Sequence, residues 1–329
     1  MATCPTIPPQ GLHNSIAGTT KPYSLPIAPR PAPWYTGSII TIIRRPPTGR
    51  SAAKGGRPMK LALIQFAVTA DKNDDLARAA KAIRTAAQNG ADMAILPEMF
   101  CCPYENRCFR PYGEEAGGPA WQMLSQTAAD TGIYVVGGSI PELENGRVYN
   151  TSFVFDRQGR QIARHRKAHL FDIDVVGGQR FKESDTLSPG NEITTFETEF
   201  GVFGLCICFD LRFEELARCM TLRGAKAILV PAAFNMTTGP AHWELLFRQR
   251  AVDNQVFTVG VSPARDENGS YVAYGNSIAV DPWGTVLCRA GAEETTLYAE
   301  LDFDRLTAVR QQLPILSARR TDLYHIGEN

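Results

Sequence analysis

Leu205-Cys206-Ile207-Cys208-Phe209-Asp210-Leu211-Arg212-Phe213 decides how the chain is read. Residues 201–207 are apolar or small at nearly every position, which predicts a buried strand. Asp210, Arg212, Glu214 and Glu215 then open a helical pattern that ends near Arg223 and Gly224. Cys208 therefore stands where a strand stops and a helix begins. Unpartnered N–H groups at such a junction carry partial positive charge, and that charge favours a thiolate. Taken alone, a strand cysteine is more often simply buried.

Two further junctions change that balance. Residues 93–96 form a short apolar strand that Pro97 terminates, delivering Glu98 to its C-terminal edge. Residues 153–164 suggest a hairpin turning at Gln158-Gly159, and Arg164-His165-Arg166-Lys167-Ala168-His169-Leu170-Phe171-Asp172 follows it. Charged residues such as Glu98 and Lys167, taken singly, are more often surface charges. A glutamate, a lysine and a cysteine, each just past a strand end, can meet at one edge of an α/β sheet.

In this order, with Phe181-Lys182-Glu183-Ser184-Asp185-Thr186-Leu187-Ser188-Pro189-Gly190, these segments resemble the nitrilase superfamily of carbon–nitrogen hydrolases. Phe234-Asn235-Met236-Thr237-Thr238-Gly239-Pro240-Ala241-His242-Trp243 and Val252-Asp253-Asn254-Gln255 are similar to its ω-amidase branch. The likeness covers nearly all of 59–329. It departs modestly at Glu214, where many relatives carry proline or alanine, and around Met99-Phe100-Cys101-Cys102. It implies an α/β fold, a four-layer αββα sandwich, and a Glu98-Lys167-Cys208 triad with Glu183 as a supporting glutamate. It also implies a homodimer. The expected activity is hydrolysis of the terminal amide of a dicarboxylic acid monoamide, α-ketoglutaramate or α-ketosuccinamate.

Amide hydrolysis needs a nucleophile, a proton shuttle and a cradle for the oxyanion. Cysteine is a strong nucleophile once deprotonated. Glu98 is expected to take the thiol proton and return it to the departing ammonia, a double role helped by burial. Lys167 and the Phe209 N–H would meet the oxyanion, and Glu183 would hold Lys167 and the attacking water. Arg212, four residues past the nucleophile, offers a bidentate fork for the substrate's free carboxylate, and its alternative is an ion pair with Glu215 or Asp210. Thr238 would add a hydroxyl, and Tyr104 is a further candidate to line the pocket. No metal or organic cofactor is required.

Rival readings are a Cys-His pair drawing on His169 or His242, and a metal site at Cys101, Cys102 and Cys108, whose spacing departs from CxxC. Nearer rivals are a deaminated glutathione amidase, an N-carbamoyl-amino-acid hydrolase or an aliphatic nitrilase. A catalytically silent interaction module is the alternative from another class, and the intact Glu98-Lys167-Glu183-Cys208 set speaks against it.

The chain has 329 residues, 44% hydrophobic and 21% charged, enough for one large domain. No apolar run approaches the roughly 18 residues that would cross a bilayer, so no membrane partner is expected. Eight cysteines without framework spacing suit a reducing cytoplasm. The formal net charge is zero, but residues 1–58 hold seven basic residues and no acidic one. The remainder is mildly acidic with no basic stripe, which argues against nucleic acid as a partner. Residues 1–58 also carry 11 of the 22 prolines and no sustained periodicity, so a disordered extension is expected there. A misassigned start ahead of Met59 is the favoured reading of this segment, over a targeting segment or a genuine disordered tail. From Met59 onward the pattern predicts strands and helices in alternation, then mostly strands: strands at 60–68, 134–139, 148–155, 201–207 and 272–280, and helices at 72–89, 119–131, 241–253 and 302–311.

Overall fold

The computed structural model describes residues 57–326. The expected extension over 1–58 lies outside them except for Arg57 and Pro58. The described chain opens with β1 (Met59–Gln65), α1 (Lys72–Gln88), β2 (Met93–Ile95), α2 (Asn106–Tyr112), α3 (Pro119–Thr131) and β3 (Tyr134–Val136). Strands then follow one another: β4 (Ile140–Glu144), β5 (Arg147–Phe155), β6 (Gln161–Arg166), β7 (Asp172–Asp174), β8 (Arg180–Lys182), β9 (Thr194–Thr198) and β10 (Gly201–Leu205). Next come α4 (Glu214–Leu222), β11 (Ala227–Pro231), α5 (Gly239–Asn254) and β12 (Phe257–Val261). Last are β13 (Ile278–Val280), β14 (Val286–Arg289), β15 (Thr295–Leu301) and α6 (Phe303–Gln312).

Local sequence explains the main elements. Asp71 caps α1 by accepting from the Asn73 and Asp74 N–H groups, and Leu76, Ala79, Ile83 and Ala86 bury one face. Helix α3 starts with Pro119 in its first turn and ends on Gly132 at φ 65°. In β1, Leu61 and Leu63 face one layer while Ala62 and Ile64 face the other.

One sheet has seven strands in the order β15-β1-β2-β3-β5-β4, with β6 paired to β5, and the other has six in the order β14-β13-β12-β11-β10-β9. Strands β1, β2 and β3 run parallel, as do β10, β11 and β12. Leu61, Leu63, Met93 and Ile95 of the first sheet pack against Phe203, Leu205, Leu229 and Val259 of the second. The outer face of the first sheet is covered by α1 and α3 through Ile83 and Leu124, and that of the second by α4 and α5 through Met220, Trp243 and Phe247. Burying each such side chain contributes about 1.5–3 kcal/mol. The result is the four-layer αββα sandwich. A Cβ on Gly260 of β12 would stand 2.2 Å from the Phe247 ring, so this glycine lets α5 dock.

Several expectations change in detail. The strand expected over 134–139 stops at Val136, because Gly138 turns the backbone at φ 45°. The strand expected over 272–280 contracts to Ile278–Val280, since Gly275 and Asn276 have φ 69° and 61°. Helix α2, strand β4 and the β7–β8 hairpin were not anticipated. The helix expected from Asp210 begins only at Glu214, and Cys208–Arg212 is a tight 3₁₀ turn.

Candidate active site

Four strand ends converge. Past β2, the Leu96 N–H still bonds to the Val136 carbonyl at 3.1 Å, and Pro97 then interrupts the ladder. Met99 turns the chain at φ 52°, held by its N–H donating to Ser139 Oγ at 3.0 Å. A Cβ on Gly138 would stand 2.1 Å from the Pro97 carbonyl oxygen, so the loop after β3 presses directly on the segment carrying Glu98. Past β10, Cys208 itself adopts φ 49°, a strained left-handed conformation for a residue other than glycine. The first bond of its turn runs from the Asp210 N–H to the Ile207 carbonyl, leaving the Phe209 N–H outside that bond.

The Glu98 carboxylate is fully buried and accepts four hydrogen bonds. Its Oε1 accepts from Tyr104 Oη at 3.0 Å, Asn150 Nδ2 at 2.8 Å and Lys167 Nζ at 3.0 Å. Its Oε2 accepts only from the Ala233 N–H, just past β11, at 2.7 Å. Lys167 follows β6, and its Nζ also donates to Glu183 Oε1 at 2.8 Å and to Tyr104 Oη at 3.2 Å. Its three N–H groups are therefore all engaged. Burial opposes its charge, but Glu183 and Glu98 outweigh burial and hold the ammonium above its ordinary pKa. Glu183 opens a short turn after β8, and its Oε2 accepts from the Phe171 N–H at 2.6 Å. Burial pushes Glu183 up, against the pull of Lys167.

The Cys208 thiol is 4% exposed, with Glu98, Lys167 and the Ala233 N–H as neighbours. Burial, then Glu98, drives its pKa well above the ordinary thiol value. The positive charge expected to favour a thiolate at this junction is outweighed, and removal of the proton falls to Glu98, as the sequence reading expected. A single short turn supplies too little positive potential to offset desolvation beside a carboxylate.

Asp210 fastens the two catalytic segments together. Its Oδ2 accepts from the Ile207 N–H at 3.0 Å and faces His165 Nε2 at 3.0 Å. Its Oδ1 accepts from the His169 N–H at 2.8 Å and faces His169 Nδ1 at 2.8 Å. Burial would raise this carboxyl, yet bonds from His165, His169 and Ile207 hold it well below the usual range. Both histidines beside Lys167 are thereby pinned to the nucleophile turn.

Arg212 lies partly buried near Cys208 with no carboxylate partner among the described residues. Its Nη1 meets His242 Nδ1 at 3.1 Å, its guanidinium lies over Phe234 and Phe209 at 4.8 and 5.6 Å, and its buried Nε has no partner. The alternative pairing with Asp210 or Glu215 is not formed. Thr238 is the N-terminal residue flanking α5, and its hydroxyl donates to Asn235 Oδ1 at 3.1 Å. Tyr104 commits its hydroxyl to the two glutamates and Lys167, so only its ring is left to face a pocket. A cavity of about 360 Å³ is lined by Glu98, Tyr104, Ala233 and Tyr271, the last also a neighbour of Cys208 and Arg212.

Asn150, Asp210, Ala233 and Tyr271 escaped the sequence reading of the site. Asn150 stands in a polar Asn-Thr-Ser run within a buried β5, which gave no distinct signal for it. A backbone N–H such as that of Ala233 leaves none.

Residues 60–311 match the carbon-nitrogen hydrolase family. Omega-amidase NIT2-A of Xenopus laevis is 52% identical over 269 residues, which is 82% of this chain and 98% of that protein. Omega-amidase NIT2 of Mus musculus is 52% identical over 267 residues, 81% of this chain and 97% of its own length. A crystal structure of a Saccharomyces cerevisiae member of branch 10 of the nitrilase superfamily superposes with TM-score 0.75 at 43% identity, covering 82% of this chain and all of that one (100%). The amidase of Nesterenkonia sp. AN1, with the acetamide moiety of fluoroacetamide added covalently at its active-site cysteine, gives TM-score 0.65 at 25% identity, covering 82% and 96%.

Proposed function

We propose that this chain, which belongs to the carbon–nitrogen hydrolase family, hydrolyses the terminal amide of a dicarboxylic acid monoamide such as α-ketoglutaramate or α-ketosuccinamate. It is an amidase of the ω-amidase type, releasing the acid and ammonia through a thioester on Cys208. The observation that carries the substrate class is Arg212, a partly buried cation near Cys208 that no carboxylate among the described residues neutralises. A cation left in that state suits an anionic ligand group.

In the first half-reaction the Cys208 sulfur attacks the amide carbon while Glu98 takes its proton. Oε2 is the oxygen with spare lone pairs, since Oε1 already has three donors. Because burial holds the thiol's pKa up, attack depends on Glu98 taking this proton. Lys167 and the Phe209 N–H stabilise the oxyanion. Lys167 does so by exchanging its longest bond, the 3.2 Å contact to Tyr104. Glu98 then protonates the departing nitrogen as ammonia. In the second half-reaction Glu98 takes a proton from the water that attacks the thioester and returns it to sulfur. Glu183 holds Lys167 and that water, and no cofactor enters the scheme. Beyond the hydroxyl bonded to Asn235, Thr238 can still accept a bond near the substrate's far end.

Cytoplasmic residence and a homodimer belong to the same reading. Cys101, Cys102, Cys206 and Cys208 are buried and outside any disulfide, and exposed Leu245 and Trp283 flank one cavity along α5 together with Glu244 and Arg289. Light scattering tests the dimer. The substrate test is ammonia release from α-ketoglutaramate against deaminated glutathione. A higher kcat/KM for the first supports the proposal, and the reverse order replaces it with the glutathione-directed rival.

A further inference from the structure

Hydrogen counting around Tyr104 does not close when both glutamates are ionised. Its oxygen lies within hydrogen-bond distance of Glu98 Oε1 at 3.0 Å, Lys167 Nζ at 3.2 Å and Glu183 Oε1. Lys167 supplies the hydrogen for its own contact. The two oxygen–oxygen contacts need one hydrogen each, a phenol carries one, and an ionised carboxylate carries none. Lys167 has none to add, because its other two N–H groups point to Glu98 and Glu183. Ionising the phenol would widen the deficit, and burial together with both glutamates keeps it protonated. A proton on one carboxyl supplies the second hydrogen and makes both contacts hydrogen bonds. Charge leads to the same place, because two buried carboxylates against one ammonium leave a negative charge that one proton cancels. Glu183 is the carboxyl that burial pushes up, despite Lys167.

We propose that Tyr104 is a positioning residue that accepts a hydrogen bond from a protonated Glu183 and donates its own to Glu98. Shifting both hydrogens one step along this line yields a Glu183 carboxylate and a Glu98 carboxylic acid at unchanged total charge. The base and acid forms of Glu98 are thus linked through one phenol. The other ionisable groups around Tyr104 are Cys208 and Tyr271, both kept neutral by burial, with Arg212 next to Tyr271. The kinetic consequence rests on Glu98 serving as the proton acceptor in amide hydrolysis, whereas the position of the proton does not.

Two measurements on the full chain test this. Carboxyl-labelled infrared spectra of the resting protein at neutral pH should show a protonated-carboxyl band that Glu183→Gln removes. The band should shift in Tyr104→Phe, which takes away its acceptor. Absence of the band, or its survival in Glu183→Gln, overturns the proposal. Should Glu183→Gln fail to fold, the Tyr104→Phe shift decides alone. In kinetics, Tyr104→Phe strips one donor from the Glu98 carboxylate, so the acidic limb of kcat/KM should move up by about one pH unit. Activity should recover toward wild type as pH rises. A uniform loss at every pH overturns the positioning role. If the wild-type protein hydrolyses no amide, the amidase reading fails while the infrared result still locates the proton.

Discussion

Replacing Arg212 by alanine should separate recognition from folding. Among the described residues the guanidinium meets no carboxylate, only His242 and the rings of Phe209 and Phe234. Truncation therefore breaks no ion pair. Folding loses two cation–π contacts of about 0.5–1 kcal/mol each and is relieved of a partly desolvated cation whose pKa burial already lowers. These effects oppose each other, so stability should change by less than about 1 kcal/mol, or by at most a few degrees in Tm. Substrate binding has no such offset. A carboxylate drawn into the site without its fork loses roughly 2–4 kcal/mol. At about 1.36 kcal/mol per decade, kcat/KM for α-ketoglutaramate should fall about 30- to 1000-fold. Arg212→Lys keeps the charge without the bidentate geometry and should fall between the two. The assay is ammonia release from α-ketoglutaramate and from a small neutral amide, run beside thermal melts. Equal losses on both substrates, or a melt lowered well beyond a few degrees, would refute the argument.

Cys208→Ala should abolish turnover with the fold intact. In the wild type, mass spectrometry after quenching with a slow amide should find the acyl group on Cys208 and not on Cys206 or Cys219. Because burial raises the Cys208 pKa, its alkylation at neutral pH should be slower than that of an ordinary free thiol, and a fast, pH-independent reaction would contradict the neutral resting state. Asp210→Asn replaces an acceptor ringed by four donors and should cost about 3 kcal/mol in urea unfolding at neutral pH. The native pKa of Asp210 is depressed, so its stabilisation is fully present above the unfolded value of about 4 and is lost as pH falls. The gap between mutant and wild type should therefore narrow in acid. Gly138→Ala forces a Cβ to within 2.1 Å of the Pro97 carbonyl oxygen at a positive φ, and should lower both stability and kcat by displacing Glu98.

How much of this was readable in the residues depends on where each group is held. Glu98, Lys167 and Cys208 were legible as a set, because each lies just beyond a strand, their order matches a family pattern, and strand ends in a sheet of this kind gather at one edge. Glu183 was legible only through its motif, since the β7–β8 hairpin ahead of it pairs three residues on each side and has no strong periodicity. The strained turn at Cys208 looked like the start of a helix because Asp210 and Arg212 are polar. In the structure Asp210 faces inward instead, bound to His165 and His169. That inversion is physical: a carboxylate offered four donors is more stable buried than at a solvated helix start. The same competition decides the state of the thiol. A sequence shows which residues can supply positive potential, but desolvation depends on how completely both sheets and the Tyr104 and Tyr271 segments close over the sulfur. With Cys208 4% exposed and Glu98 beside it, closure prevails and the pKa of the thiol is driven up. Such a site needs a base that is ionised before substrate arrives. In the proposed reaction, the position of one shared proton among Glu98, Tyr104 and Glu183 governs whether Cys208 can begin its attack.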